Sequence, residues 1–374
     1  MRKREGKDLN NRLLCIMYTM SAGGAESMIM KLYREASKCG IVFDFLLLSD
    51  KKGFYDDEIK SLGGTLFYLG NVSLKKDPIS FFMALVVFFR KHKYTRVLQS
   101  TEQSYLAIYA LLARLLGSEI VAIRSINSTT CRGRIWDIVS KMTRFIPKIA
   151  SNVKFAPSQV SADFLFGDSN VHILRNGVKI EKFGFNEFFR KKHREELMIN
   201  DGLIIGHVGR FSKQKNHKFF LDVFAEIIAL EKNSILLLLG NGELENNIKQ
   251  YSMSLGIIDK IVFAGVREDV PELMMAMDVL VFPSFYEGLP NVVIEAQTTG
   301  LPCVVSDTIT DECKVTDKVE FLSLKNHPQE WALKALSMID KNDKRENYTV
   351  SMKVAGYDIQ DVAKEFLTYM KLEI

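Results

Sequence analysis

The chain has 374 residues, 47% hydrophobic and 25% charged, which excludes disordered, collagen-like and coiled-coil classes and suits a soluble globular enzyme. That length exceeds the usual size of one hydrophobic core, so two domains of similar size are expected. The formal charge of +5 hides an asymmetry: residues 1–178 carry 26 Lys and Arg against 15 Asp and Glu, the remainder 24 against 30. A basic half suits an anionic partner such as nucleic acid, phospholipid or a phosphorylated substrate.

The N-terminal "MRKREGKDLNNR" is charged and runs into a strand-length apolar stretch rather than a signal-peptide core, so secretion is not expected. Short apolar runs then alternate with helical patterns. "LLCIMYT" precedes "AESMIMKLYREASKCG", "FDFLLLS" precedes "YDDEIKSLG", "RVLQS" precedes "YLAIYALLARLLG", and "EIVAIRS" precedes "RIWDIVSKMTRFI". Continuous apolar strands separated by helices predict a parallel sheet covered on both faces. The apolar run Phe81–Phe89 is nine residues long, about half of what a bilayer-spanning helix needs, and predicts a buried or half-buried helix.

After "VHILRNGVKIEKFGF" the rhythm restarts. "LIIGHVG", "SILLLLG", "DKIVFAG", "DVLVFPS" and "PCVVSD" are the strands of a second α/β unit, with the boundary near Asn176–Lys182. The expected fold class is thus α/β, two Rossmann-like doubly wound parallel-sheet domains facing a cleft, with ligand at the carboxyl ends of the strands. The domains are predicted as 1–178 and 179–356, and an amphipathic helix at 357–374 presents Ile359, Val362, Phe366 and Tyr369 or Met370 for burial.

Three glycine-containing loops lie between a strand and a helix. "TMSAGGAES" has Gly23 and Gly24 at a helix start, a geometry that suits a phosphate or plain turn chemistry; it lacks the full GxGxxG spacing. "GHVGRFSKQKNHKFF" offers Arg210 and Lys215, which can clamp a diphosphate or form a solvated basic loop. "FPSFYEGLPNVVIEAQTTG" places Glu287 in a turn, amides of Gly288, Leu289 and Asn291 beside Pro290 at a helix start, and Glu295 about one turn into that helix. On spacing alone, two ordinary surface carboxylates remain an alternative.

Together these segments resemble the retaining nucleotide-sugar glycosyltransferases of family 4, which have the GT-B fold. The likeness is greatest to bacterial exopolysaccharide and capsule enzymes. It runs nearly continuously from about Asn176 to Asp307, through "RFSKQKNH" and "GNGELENNIKQYSMSLGIIDKIVFAGVREDVPELMMAMDVLVFPSFYEGLPNVVIEAQTTGLPCVVSD", and more thinly through the first domain with "SAGGAES". It implies a retaining transfer of sugar from a nucleoside-diphosphate sugar, UDP-linked by analogy, to a glycan or lipid-linked acceptor. Arg210 and Lys215 would neutralise the diphosphate without a metal, Glu295 would hold the ribose, and Glu287 the sugar. Gly242, Val266, Arg267 and Gly288–Asn291 would complete the donor site, with Val266 and Arg267 at the base and Gly23 and Gly24 over the phosphates. No cofactor beyond the donor is implied. The C-terminal helix would return to the first domain.

One departure stands out: where relatives often carry acceptor-side histidines, "VAIRSINSTT" offers Arg124 and "RVLQSTEQS" offers Gln99 and Glu102. Arg124 is either catalytic or a structural ion pair, and as a guanidinium it cannot be a general base at neutral pH. The six histidines show no metal spacing and read as surface or packing residues, with His217 capping or packing. Cys15, Cys39, Cys131, Cys303 and Cys313 form no CxxC pair, which suggests a reduced cytoplasmic setting and no zinc site. The basic amphipathic segment 131–150 suits either the inner face of an anionic plasma membrane or a core-facing helix with a solvated basic face. No recognition motif supports nucleic acid. A catalytically silent binding member of the family and a nucleotide-sugar epimerase are the competing functions.

Overall fold

A computed structural model describes residues 9–69, 77–128, 134–167, 170–199, 202–339, 345 and 348–372. Two compact units emerge, Met1–Gly177 with Ile359–Ile374, and Val178–Asp358.

The first unit comprises β1 (Arg12–Met17), α1 (Gly24–Lys38), β2 (Val42–Leu47), α2 (Asp56–Ser61), β3 (Leu66–Tyr68), α3 (Pro78–His92), β4 (Arg96–Thr101), α4 (Ile108–Leu115), β5 (Ile120–Ser125), α5 (Arg134–Met142), α6 (Phe145–Ala150), β6 (Val153–Ala156), α7 (Gln159–Phe166) and β7 (His172–Ile173). Its strands are all parallel in the order β3-β2-β1-β4-β5-β6-β7. The order reverses between β1 and β4, the switch point at which such sheets open a crevice at their carboxyl ends. Every residue of β5 is buried, because helices cover both faces and leave no strand position for solvent.

The second unit comprises α8 (Ile180–Phe183), α9 (Glu187–Glu196), β8 (Ile204–Val208), α10 (His217–Leu230), β9 (Ile235–Leu239), α11 (Glu245–Ser254), β10 (Ile261–Gly265), α12 (Val270–Ala276), β11 (Val279–Phe282), α13 (Asn291–Thr298), β12 (Cys303–Ser306), β13 (Val319–Leu322), α14 (Pro328–Ser337) and α15 (Tyr348–Val354). Its parallel order, β10-β9-β8-β11-β12-β13, switches between β8 and β11. The basic loop follows β8 and the glutamate loop follows β11, so the topology alone makes them neighbours.

A last helix, α16 (Ile359–Tyr369), belongs to the first unit. Ile359, Val362, Phe366 and Met370 are buried in its core, with the Phe366 ring 6.2 Å from Phe43 and 5.6 Å from Phe155. Arg96 fastens the end of the helix by donating to the carbonyls of Met370 and Lys371. In α3, Phe81, Leu85 and Phe89 face inward while Ile79, Met83 and Val87 are exposed, so the apolar run is a half-buried helix. No helix among the described residues is long and apolar enough to cross a membrane.

A buried carboxylate gathers several donors in each unit. Asp44 accepts two bonds of 2.6 Å from Arg12, one of 2.6 Å from Tyr94 and one of 2.7 Å from the Thr65 amide. Burial alone would raise its pKa, but these donors outweigh it and hold the group below the ordinary carboxylate value. Asp278 does the same between α12 and β11, where Arg190, Arg194 and the Ile204 amide converge.

Candidate active site

The loop after β8 is shaped by two local rules. Asn216 has φ 53°, a left-handed conformation that asparagine tolerates, and it turns the chain from the short turn Lys213–Lys215 into α10. Gly242, in the loop after β9, packs directly on Phe211: a Cβ there would lie 2.5 Å from the Phe211 carbonyl oxygen. The Phe211 amide also donates to Asn241 and the Leu244 amide to Phe211, at 2.9 and 3.0 Å. Gly242 therefore holds the β8 loop against the β9 loop.

Lys215 and Glu287 meet across the switch point. The Lys215 ammonium donates to Glu287 Oε1 at 2.7 Å, and it sits 4.4 Å from the centroid of the Phe282 ring. Gln214 ties the same loops together by donating to the Tyr286 carbonyl at 2.8 Å while its own carbonyl accepts from the Phe285 amide at 2.9 Å. Sequence reading missed this tether, since a lone glutamine carries no signal of its partner. Arg210 projects into solvent, with no carboxylate partner among the described residues. Glu295 lies half-buried one turn into α13, whose N-cap is Pro290.

Other expected residues lie in the loops after β10 and β11. Leu289 is buried in the core with Val292 and Val293, so its side chain packs. Gly288, Leu289 and Asn291 each interact with other groups in the protein. Val266 is exposed, whereas the Arg267 guanidinium is taken up by Asp269 in a two-bond pair at 2.7 and 2.5 Å. Asp269 stands only two residues on, a partner that sequence spacing could have shown.

Beneath the basic loop lies a pair of buried imidazoles. His207 and His217 have ring centroids 4.7 Å apart and near-perpendicular planes, enclosed by Phe211, Phe220 and Phe282. His207 Nδ1 lies 3.1 Å from the Val281 carbonyl. Burial, then the neighbouring Lys215 charge, lowers His217 to about 4; burial and His217 push His207 well below the usual imidazole value. Both rings stay neutral at neutral pH, so they support the loop without competing for an anion.

In the first unit, Gly23 is the N-cap of α1, and the Glu26 carboxylate folds against it: a Cβ at Gly23 would lie 2.3 Å from Glu26 Oε2. The same carboxylate accepts from Ser21 at 3.2 Å. Arg124, on β5, is 2% exposed and donates to Asn176 through Nη2, but no ion pair engages it among the described residues. The structural ion pair considered for it is therefore not found. Of segment 131–150, residues 131–133 and the Arg134 side chain lie outside the described residues. In the rest Ile135, Ile138, Met142, Phe145 and Ile149 are exposed beside Lys141 and Lys148, while Ile146 packs against the core. Among the described residues no group of three or more His, Cys, Asp or Glu is placed to hold a metal ion.

Comparison with known proteins identifies the family. Residues 189–352 match the family model described as "Glycosyl transferases group 1". EpsF of Bacillus subtilis (strain 168), named as a glycosyltransferase, is 34% identical over 93% of this chain and 93% of its own length. A UDP-Gal:alpha-D-GlcNAc-diphosphoundecaprenol alpha-1,3-galactosyltransferase of Escherichia coli is 27% identical over 74% of this chain and 75% of its own. Among solved structures, Anabaena HepE in complex with UDP-glucose superposes with a TM-score of 0.79 over 96% of this chain and 99% of that one, at 16% identity, a likeness of fold. On the identity it shares with EpsF over nearly its whole length, and with two parallel-sheet domains of the GT-B type, the chain belongs to the group 1 glycosyltransferases.

Proposed function

We propose that the protein is a retaining, metal-independent glycosyltransferase of family 4 that moves a sugar from a UDP-sugar to a lipid-linked glycan acceptor during assembly of a bacterial cell-surface polysaccharide. The observation that carries this reading is the Lys215–Glu287 contact at the switch point of the second domain, with exposed Arg210 on the same loop. The HepE complex with UDP-glucose and the diphosphoundecaprenol-linked acceptor in the E. coli relative's name support the two substrates. CapM of Staphylococcus aureus, named for capsular polysaccharide biosynthesis and 33% identical over 35% of this chain, supports the pathway class.

In this reading Arg210 and Lys215 face the donor diphosphate, Glu295 accepts from the ribose hydroxyls, and Glu287 meets the sugar. Negative charge grows on the leaving phosphate as the bond to the sugar carbon breaks, so fixed cations act most strongly in the transition state. The acceptor oxygen bonds to that carbon on the same face, and its proton passes to the departing phosphate oxygen, releasing UDP. Glu287 holds the Lys215 ammonium in place before the donor arrives and stabilises the positive, oxocarbenium-like carbon afterwards. Val266 stands where the base would be read. Screening UDP, GDP and ADP by thermal shift tests the donor; stabilisation by UDP is expected, and an equal response to all three would contradict a UDP-specific site.

Peripheral membrane contact on the cytoplasmic face belongs to the same reading. Helices α3, α4 and α6 lie side by side, and Ile79, Met83, Val87, Leu115, Phe145 and Ile149 are exposed on them, near Arg90, Lys91 and Lys148. Exposed apolar side chains with cations close by in sequence match an anionic bilayer carrying a lipid-linked acceptor.

A further inference from the structure

Arg124 occupies an unusual position for a charged side chain. It pairs in register with Ser100 of β4 and with Phe155 of β6, at the carboxyl end of the first domain's sheet. Leu98 and Ala122, two residues earlier on the same strands, lie in the core that α1 and α16 cover, so Ser100 and Arg124 continue that face toward the rim. One guanidinium nitrogen donates to Asn176, while Nε and the buried Ser100 hydroxyl beside it meet no partner among the described residues. A buried cation with neither a carboxylate nor a full set of acceptors is costly to hold. Within the protein, nothing described neutralises it.

We propose that Arg124 is the cationic centre of a phosphate-binding site in the first domain, completed by the Ser100 hydroxyl, and that it takes a phosphate of the acceptor's diphosphate linkage. The assignment rests on the glycosyltransferase reading above and deepens it. The donor diphosphate already has two cations of its own, Arg210 and Lys215, in the second domain, which leaves Arg124 for the other substrate. An anion bound there satisfies the charge, Nε and the hydroxyl together, and bidentate guanidinium–phosphate contact is strong and directional.

The test is differential scanning fluorimetry of the full-length chain, its Arg124→Met variant and an Arg210→Ala/Lys215→Ala double variant, each with farnesyl diphosphate, inorganic pyrophosphate or UDP. Farnesyl diphosphate is expected to raise Tm by about 3 °C or more in the wild type and in the double variant, and not in Arg124→Met. Arg124→Met itself keeps or gains Tm, since it replaces an unpaired buried charge with an apolar chain of similar length. UDP stabilises Arg124→Met and fails on the double variant. An undiminished farnesyl diphosphate response in Arg124→Met overturns the proposal, and so does a response to pyrophosphate alone, which marks a free-anion site rather than an acceptor site. Should Arg124→Met not fold, Arg124→Gln, which can still donate to Asn176, takes its place under the same criteria. If UDP fails to stabilise the wild type, the donor reading falls while the phosphate result stands.

Discussion

At the scale of single residues, the 2.7 Å bond between Lys215 and Glu287 makes Glu287 and Glu295 unequal. Glu287 touches the cation that would face the leaving phosphate, whereas Glu295 sits one turn into α13. Glu287→Ala is therefore expected to lower kcat about 100-fold, the scale of losing one preorganised electrostatic contact. Glu295→Ala is expected to raise the donor KM with a smaller change in kcat. Steady-state kinetics with one donor distinguish these, and identical losses in both variants would count against the assignment. Because Lys215 and Glu287 act as a pair, the Lys215→Ala/Glu287→Ala double variant should lose less than the two single losses multiplied together; strict multiplication would mean that the bond has no part in catalysis.

At the scale of elements, the turn into α10 couples the site to stability. His217 is held neutral in the fold at about 4, whereas in the unfolded chain it titrates near 6.5. The unfolded state takes up the proton first as pH falls, so stability present above about 6.5 is lost progressively towards 4, by about 3 kcal/mol for this group. Urea unfolding of His217→Phe across pH 4–7 should show a flatter acid limb than the wild type; parallel curves would refute the linkage. The exposed side chains on α5 and α6 give a second test. Ile138→Asp/Phe145→Asp should reduce flotation with anionic liposomes at least tenfold, since each apolar side chain contributes roughly 1.5–3 kcal/mol when buried, and negligible binding of the wild type to anionic liposomes would sink the membrane reading. These elements were largely legible in the chain: buried parallel strands write themselves as apolar runs, and Gly, Pro and Asn mark the turns. What was not legible is pairing across distance. Nothing near Lys215 announces a carboxylate 72 positions later, nothing beside Arg124 says that it is buried without a counterion, and a leucine in a functional loop looks the same whether it faces ligand or core. Gly242 shows the converse, a residue marked for a ligand by likeness and needed by the Phe211 backbone.

At the scale of the whole molecule, a basic first domain and an acidic second one are joined by a chain that crosses twice, near Gly177 and again near Ile359. The excess of Lys and Arg in residues 1–178 fits a domain that meets an anionic acceptor and an anionic surface, while the second domain is acidic overall and carries Arg210 and Lys215 in the loop at its switch point. Raising ionic strength from 50 to 300 mM should therefore weaken lipid association more than UDP binding, as screening acts most on exposed charge; equal sensitivity would contradict this division. The central claim is that the Lys215–Glu287 site transfers a sugar. Mass spectrometry of the purified chain incubated with UDP-sugars and a polyprenyl-diphosphate-linked sugar acceptor tests it most directly. The wild type should add one hexose or N-acetylhexosamine, α-linked with retention, and Glu287→Ala should lose this product almost completely. An unchanged yield in Glu287→Ala, or isomerised donor with no new glycoside, would contradict it.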